Sequence, residues 1–223
     1  ASIQRGKKTL VKHNVKVKLM TVSQHDYDES KIKTLSSLEH IRKRPGMYIG
    51  RLGNGAHPDD GIYILLKEVV DNAVDEYIMG AGKRVNIHIG GEGMVTVRDF
   101  GRGIPLGKIV DCVSTINTGA KYNTEVFQFS VGLNGVGTKA VNAMSSHFKV
   151  TAYRDGKFAS AVFAKGELVS CEEGETSEAN GTLVEFIPDR EMFQDYVFDP
   201  GFVEDRLWRY AYLNAGLKLY LDR

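Results

Sequence analysis

Cysteine is scarce, with two in 223 residues. Cys112 and Cys171 stand far apart with no CxxC spacing, which argues against a disulfide framework or a thiolate zinc site and leaves buried, reduced thiols as the expectation. The six histidines show no ligand spacing either. No apolar run approaches the ~20 residues of a membrane span, and the N-terminus lacks the apolar stretch of a signal peptide, so no membrane partner and a cytoplasmic setting are expected. An excess of basic charge is also missing. Residues 1–19 hold Arg5, Lys7, Lys8, Lys12, Lys16 and Lys18 without an acid, leaving 23 basic against 28 acidic residues in the rest. That balance disfavours a domain whose main task is to grip a phosphate backbone. The basic stretch reads as a flexible segment over 1–26, or an appended leader ending before Met20.

What is present is a chain that is 42% hydrophobic, enough to bury a sizeable core. Ser36 to Arg44 has the pattern of a short helix capped by Ser36 or Ser37 and stopped by Pro45-Gly46. A turn-rich loop, Gly53 to Gly61, leads into the best-defined element, a helix from about Ile62 to Met79. Leu66, Val70, Ala73 and Tyr77 line its core face, with Glu68, Asn72 and Asp75 on the opposite side, where Leu65 and Met79 also fall, so that side is not purely solvent-facing. Arg84 to Arg98 alternates as a hairpin about Gly90–Gly93, so Asp99 falls just past a strand end. Ile104 to Val131 shows little pattern beyond a helix around Lys108 to Asn117, and long segments of this kind are often lids or binding loops. A helix over Thr138 to Ser145, a second hairpin turned by Asp155-Gly156, a polar loop at Glu173–Asn180, a strand at Thr182–Ile187, a helix at Val203–Leu213 and a strand at Leu217–Leu221 complete the chain. Helices interleaved with hairpins imply an α+β fold, a mostly antiparallel mixed sheet covered by helices on one face.

Three elements carry chemistry. Glu68 and Asn72 lie one helical turn apart, so a carboxylate that can accept a proton from water and an amide oxygen that can ligate Mg²⁺ share a face. Taken alone, a solvated polar helix face is the simpler reading. Asp99 precedes Gly101 and Gly103, whose missing side chains let a flat ligand approach the backbone. An ionised Asp only accepts hydrogen bonds, so its matching group is an amine such as adenine N6. A turn aspartate gives the same local pattern. Gly132-Leu133-Asn134-Gly135-Val136-Gly137 opens a helix and can cradle phosphates on backbone N–H groups, as any flexible glycine loop can. Lys121, in the preceding stretch, is placed to reach a phosphate or to remain a surface lysine. The conjunction in this order reads as an ATP site.

These residues resemble the superfamily of gyrase, heat-shock chaperone, histidine kinase and mismatch-repair ATPases. Within it, Arg42-Lys43-Arg44-Pro45-Gly46-Met47-Tyr48-Ile49-Gly50, Glu68-Val69-Val70-Asp71-Asn72-Ala73-Val74-Asp75-Glu76 and Gly119-Ala120-Lys121-Tyr122 are similar to the B subunits of bacterial type IIA topoisomerases. The resemblance covers about residues 27–223 and implies a Bergerat-type fold binding ATP and Mg²⁺. It implies that Glu68 is the general base and Asn72 the Mg²⁺ ligand. Asp99 would bind adenine directly and through a water supported by Thr182, with Arg102, Gly103, Ile104 and Pro105 along the pocket. Arg102, Pro105 and Arg154 would form the edge where aminocoumarin-type inhibitors bind. Lys121, Leu133, Asn134, Gly135, Val136 and Gly137 would hold the triphosphate, and Tyr27 would reach into a partner's ATP site. The implied partners are a second B subunit on ATP binding, the A subunit through domains beyond this chain, and DNA in the full enzyme.

The chain departs from the pattern in three places. Ile64 stands where the family commonly has a histidine that orients the base, Asn134 replaces a usual histidine, and the stretch from Pro105 to Gly119 is short. These features favour a topoisomerase IV B subunit over gyrase B. Because Arg223 falls where the family's ATPase domain hands over to a transducer domain, a trimmed fragment lacking that domain's γ-phosphate lysine is expected. Other members of the superfamily, and a nucleotide-responsive binding module with negligible turnover, are the alternatives.

Overall fold

A computed structural model describes residues 35–116 and 135–223. The segment 1–26, Tyr27, Lys121, Leu133 and Asn134 therefore lie outside the described residues. The first helix, α1 (Ser37–Lys43), starts at a reciprocal cap: Glu39 N–H donates to Ser36 Oγ at 3.2 Å, and Ser36 N–H donates to Glu39 Oε2 at 2.8 Å. α1 ends at Lys43, with Arg44 as its C-cap, just before Pro45 as expected. Pro45 then precedes one further turn, α2 (Gly46–Ile49), because proline, which lacks an N–H, is tolerated ahead of a first helical turn. Arg42 ties α1 to the body, donating to Ala143 O and pairing with the buried Asp189 carboxylate, both at 2.7 Å.

Helix α3 (Gly61–Ile78) runs through the interior. Its apolar positions Leu66, Val70 and Ala73 are buried, and so are Ile62, Leu65, Val69 and Val74 around much of the circumference. The sequence placed Asp75 beside Glu68 and Asn72 on a face away from the core. Asp75 is instead 1% exposed, since packing encloses the helix beyond the 3.6-residue stripe. Every fourth position, Ile64, Glu68, Asn72 and Glu76, remains half-buried and forms one line along the helix.

Strands β1 (Arg84–Ile89), β2 (Val95–Asp99), β3 (Ser145–Arg154), β4 (Lys157–Ala164), β5 (Glu167–Glu175), β6 (Gly181–Pro188) and β7 (Lys218–Asp222) form, among the described residues, one sheet in the order β5-β4-β3-β6-β2-β1-β7. All pairings are antiparallel except β1 with β7. Between β2 and β3 lie α4 (Ile109–Ser114), shorter than expected, and α5 (Gly137–Ala143); α6 (Arg190–Phe193) and α7 (Pro200–Leu213) follow β6. Alternation sorts the central strands: Val85, Ile87, Val95, Val97, Phe148, Val150, Val184 and Phe186 are buried toward the helices, while Lys149 faces its register partner Glu185 on the other side. The mostly antiparallel sheet with helices on one face is thus observed.

β5 was not legible. All nine of its residues are exposed, so no apolar alternation marks it, and it pairs only as an edge. Four glutamates on it are the kind of charge that blunts a free edge. Cys171 lies there and is exposed, against the expectation of two buried thiols, whereas Cys112 is partly buried. No helix among the described residues is long and apolar enough to cross a membrane.

Ser36→Ala removes one half of the α1 cap. It is expected to cost about 1 kcal/mol and to lower the melting temperature by roughly 2–4 °C, the shift such a loss gives a domain of this size, as read by circular dichroism.

Candidate nucleotide site

Asp99, the last residue of β2, is 7% exposed. Two backbone donors, Gly101 N–H at 2.8 Å and Thr182 N–H at 3.2 Å, both fall on its Oδ1 and leave Oδ2 unused by either. Burial pushes its carboxyl up to about 6 against an ordinary 3.8, with nearby Glu76 adding to the rise and the backbone donors and Arg98 opposing it. Thr182 therefore meets Asp99 through its backbone, a contact the sequence did not suggest.

Close backbone approach is built in around that carboxylate. A Cβ on Gly181, which holds φ +137°, would lie 2.3 Å from Asp99 O, and one on Gly103, at φ +75°, would lie 2.5 Å from Tyr153 O. Arg98 clamps the same corner: its guanidinium donates to Asp99 O and, at 2.6 Å, to Ala179 O while stacking on Phe100 and Tyr153.

Arg102 is held from α3. Glu76 takes its Nε at 3.0 Å and Nη2 at 2.8 Å, and also the Arg102 backbone N–H at 2.8 Å. This fork, not foreseen from the sequence, fixes the Gly101–Pro105 turn against the helix. Ile104 packs on the core and Pro105 is exposed. Arg154, at the end of β3, lies 3.7 Å from Asp155 in an exposed pair, on the strand end that Gly103 abuts.

Glu68 and Asn72 meet α5. A Cβ on Gly137 would fall 1.8 Å from Glu68 Oε2, so the carboxylate rests directly on the first residue of that helix. Asn72 Nδ2 donates to Glu68 O at 2.9 Å and to Thr138 Oγ1 at 2.7 Å. With the nitrogen committed, Oδ1 is the atom of this amide suited to a hard cation. Gly135, at φ +58°, and Val136 lead into α5, and Lys139 donates to Gly135 O. Glu68 and Glu76 are eight residues apart, about 12 Å of helix rise, so one face of α3 links the α5 end of the site to the Asp99 end. Among the described residues, no three His, Cys, Asp or Glu side chains cluster to hold a metal.

Two further groups were not singled out by sequence. Lys67 Nζ lies 2.5 Å from Asp71 Oδ2 and 3.7 Å from Glu68 Oε1, and the Tyr210 hydroxyl donates to Asp71 Oδ1 from α7. The Lys67–Asp71 spacing of four was a visible signal; Tyr210 had none.

Residues 58–192 match the family of histidine kinase-, DNA gyrase B- and HSP90-like ATPases. The chain is 58% identical over 192 residues to the DNA topoisomerase 4 B subunit of Borreliella burgdorferi, covering 86% of this chain and 32% of that protein. It is 40% identical over 209 residues to the DNA gyrase B subunit of Thermus thermophilus, covering 88% of this chain and 32% of the relative. Its fold matches the crystal structure of the 43K ATPase domain of Thermus thermophilus gyrase B in complex with an aminocoumarin, with a TM-score of 0.70 and 35% identity over 84% of this chain and 48% of that one. The chain spans about a third of the length of the two relatives matched by sequence.

Asp99 gives a prediction with opposite signs for stability and binding. A carboxyl raised in the folded state contributes stability that is present below 3.8 and lost as the pH rises through about 6. At pH 7.5 the ionised group therefore destabilises the ligand-free protein by up to about 3 kcal/mol. Asp99→Asn is expected to raise the melting temperature at pH 7.5 with a gain that disappears near pH 4. Calorimetry should show ATP-analogue affinity falling by about 10–100-fold, the scale of a mismatched buried hydrogen bond.

Proposed function

The chain belongs to the histidine kinase-, DNA gyrase B- and HSP90-like ATPase family, and from that premise we propose that it is the ATP-binding and ATP-hydrolysing domain of a bacterial type IIA topoisomerase B subunit, of the topoisomerase IV kind. The observation that carries the reading is the single line of α3 side chains that brings Glu68 and Asn72 to α5 while Glu76 anchors the turn after Asp99. The identity of 58% to a topoisomerase 4 B subunit, against 40% to a gyrase B subunit, supports the first kind.

In this site the Asp99 oxygen not used by Gly101 and Thr182 accepts from the adenine amine, while Gly101, Gly103 and Gly181 let Glu76, β3 and β2 close tightly around that carboxylate. Backbone N–H groups of Gly135, Val136 and Gly137 meet the phosphates at the start of α5, and by the resemblance Leu133, Asn134 and Lys121 would add to that grip. Glu68 takes the proton of a water aligned with the γ-phosphate, so attack and deprotonation coincide. The donor set around Asn72 fits Mg²⁺, which keeps waters and phosphate oxygens and needs few protein ligands; when bound it neutralises charge on the phosphates. Asn72 would hold it through Oδ1, positioned by Thr138.

Around this chemistry, Tyr27 would reach the ATP site of a second B subunit, and closure of that dimer would couple turnover to passage of DNA by an enzyme completed by A subunits in the bacterial cytoplasm. The similarity to a gyrase B domain in complex with an aminocoumarin supports inhibitor binding along Arg102, Pro105 and Arg154. The organisation would be a basic segment over 1–26, an ATPase domain over 27–223, and a transducer domain beyond it in the full protein.

The test of the reading is Glu68→Gln in the full-length assembled enzyme. ATP-analogue affinity should stay within several-fold while phosphate release falls by ~10²-fold or more, the scale of losing a general base. Preserved turnover would remove Glu68 from the reaction.

A further inference from the structure

Neighbouring residues on a helix point about 100° apart and do not ordinarily interact. Lys67 and Glu68 break that rule, with Nζ 3.7 Å from Glu68 Oε1. What bends the lysine back is Asp71, one turn further on, whose carboxylate is 1% exposed and takes Nζ at 2.5 Å on Oδ2. Asp71 is itself fixed from outside the helix, because Tyr210 of α7 donates to its other oxygen. Burial pulls the Lys67 ammonium down, but the hydrogen bond and charge of Asp71, with Glu68 adding, carry it above its ordinary value, so it stays charged. The Tyr210 hydroxyl is raised by burial and by Asp71 and remains a donor. The chain thus runs from α7 through a buried carboxylate to an ammonium beside Glu68. At position 64, one turn before Glu68 on the same line, stands isoleucine, which has no polar atom to orient a carboxylate.

We propose that Lys67, clamped by Asp71 and Tyr210, is a positioning residue that holds the Glu68 carboxylate in the orientation needed to receive a proton. The proposal rests on the reading of Glu68 as the general base. Lys67 draws on one Glu68 oxygen, Oε1, while Oε2 rests against Gly137 at the start of α5. The carboxylate is thereby constrained at both oxygens, and a base fixed in plane loses less rate to misalignment. Lys67 acts through Glu68 and needs no contact with nucleotide.

The experiment uses the full-length assembled enzyme and five variants, Glu68→Gln among them. Lys67→Gln keeps a donor for Asp71 and removes the charge. It is expected to lower kcat about 10-fold, since sub-ångström misplacement of a reacting group costs this order or more, while ATP-analogue Kd and melting temperature change little. Lys67→Arg should restore kcat to within about threefold, because a second cation can take the same bridge. Asp71→Asn, which keeps an acceptor but weakens the clamp, should reproduce the kcat-only loss should Lys67→Gln fold poorly. In the background of Glu68→Gln, Lys67→Gln should lower turnover no further, as expected when two residues act as one unit. If Glu68→Gln abolishes turnover but both Lys67→Gln and Asp71→Asn leave kcat unchanged, or if Lys67→Gln weakens nucleotide binding instead, or if its effect multiplies that of Glu68→Gln, this inference fails and the base assignment survives. If Glu68→Gln itself retains turnover, both fail.

Discussion

A carboxylate kept nine-tenths out of water at the end of a strand is expensive unless its surroundings are arranged for it, and Asp99 is the group around which this molecule is arranged. Its two backbone donors arrive from opposite directions, Gly101 from the turn just after β2 and Thr182 from β6. Gly181 and Gly103 lack the side chains that would collide with the backbones of β2 at Asp99 and β3 at Tyr153. Arg98, buried on the neighbouring position and lowered in basicity by that burial, supplies the nearest positive charge and ties the loop before β6 to the same corner. These contacts only partly offset desolvation, which is why the carboxyl remains raised. A ligand amine donating to the second Asp99 oxygen would offset part of the remaining cost, which is the basis of the role proposed for this carboxylate.

The second organising element is α3, which does two jobs along one line of side chains. At its far end Glu76 grips the turn after Asp99, and at its near end Glu68 and Asn72 touch α5. Because a helix is stiff along its axis, the spacing between the two ends is set by eight residues of backbone and not by loop conformation. The sheet supplies the rest: β2 sits next to β6 in the strand order, which is what lets Thr182 reach Asp99 across 83 positions of sequence. Helix α7 adds a contact from the other side, reaching α3 through Tyr210 and Asp71.

Much of this was legible from local rules. Capping at Ser36, alternation at Val85–Ile89 and the Asp155-Gly156 turn, whose residues hold φ 54° and 77°, depend on neighbours in sequence, and each formed where expected. The Glu68–Asn72 spacing was read in the same way, though its partner Thr138 was not. What stayed hidden depends on tertiary neighbours. Strand β5 has no apolar alternation because no other described element covers it, and Cys171 is exposed for the same reason. Asp75 read as a polar-face residue because amphipathicity assumes a single buried side, and α3 is enclosed on more than one. The Glu76–Arg102 fork spans 26 positions and the Tyr210–Asp71 contact 139, distances over which no periodicity signals a pair. The roles of Tyr27, Lys121, Leu133 and Asn134 lie outside the described residues and rest on resemblance.

The nucleotide site proposed here needs both the line of side chains on α3 and the buried Asp99. A crystal structure of the protein with Mg²⁺ and a non-hydrolysable ATP analogue tests it most directly. The adenine amine is expected within hydrogen-bond distance of the Asp99 oxygen not used by Gly101 and Thr182, the cation on Asn72 Oδ1, and the γ-phosphate facing Glu68 across the start of α5. A nucleotide bound with its base away from Asp99, or a cation held without Asn72, would contradict it.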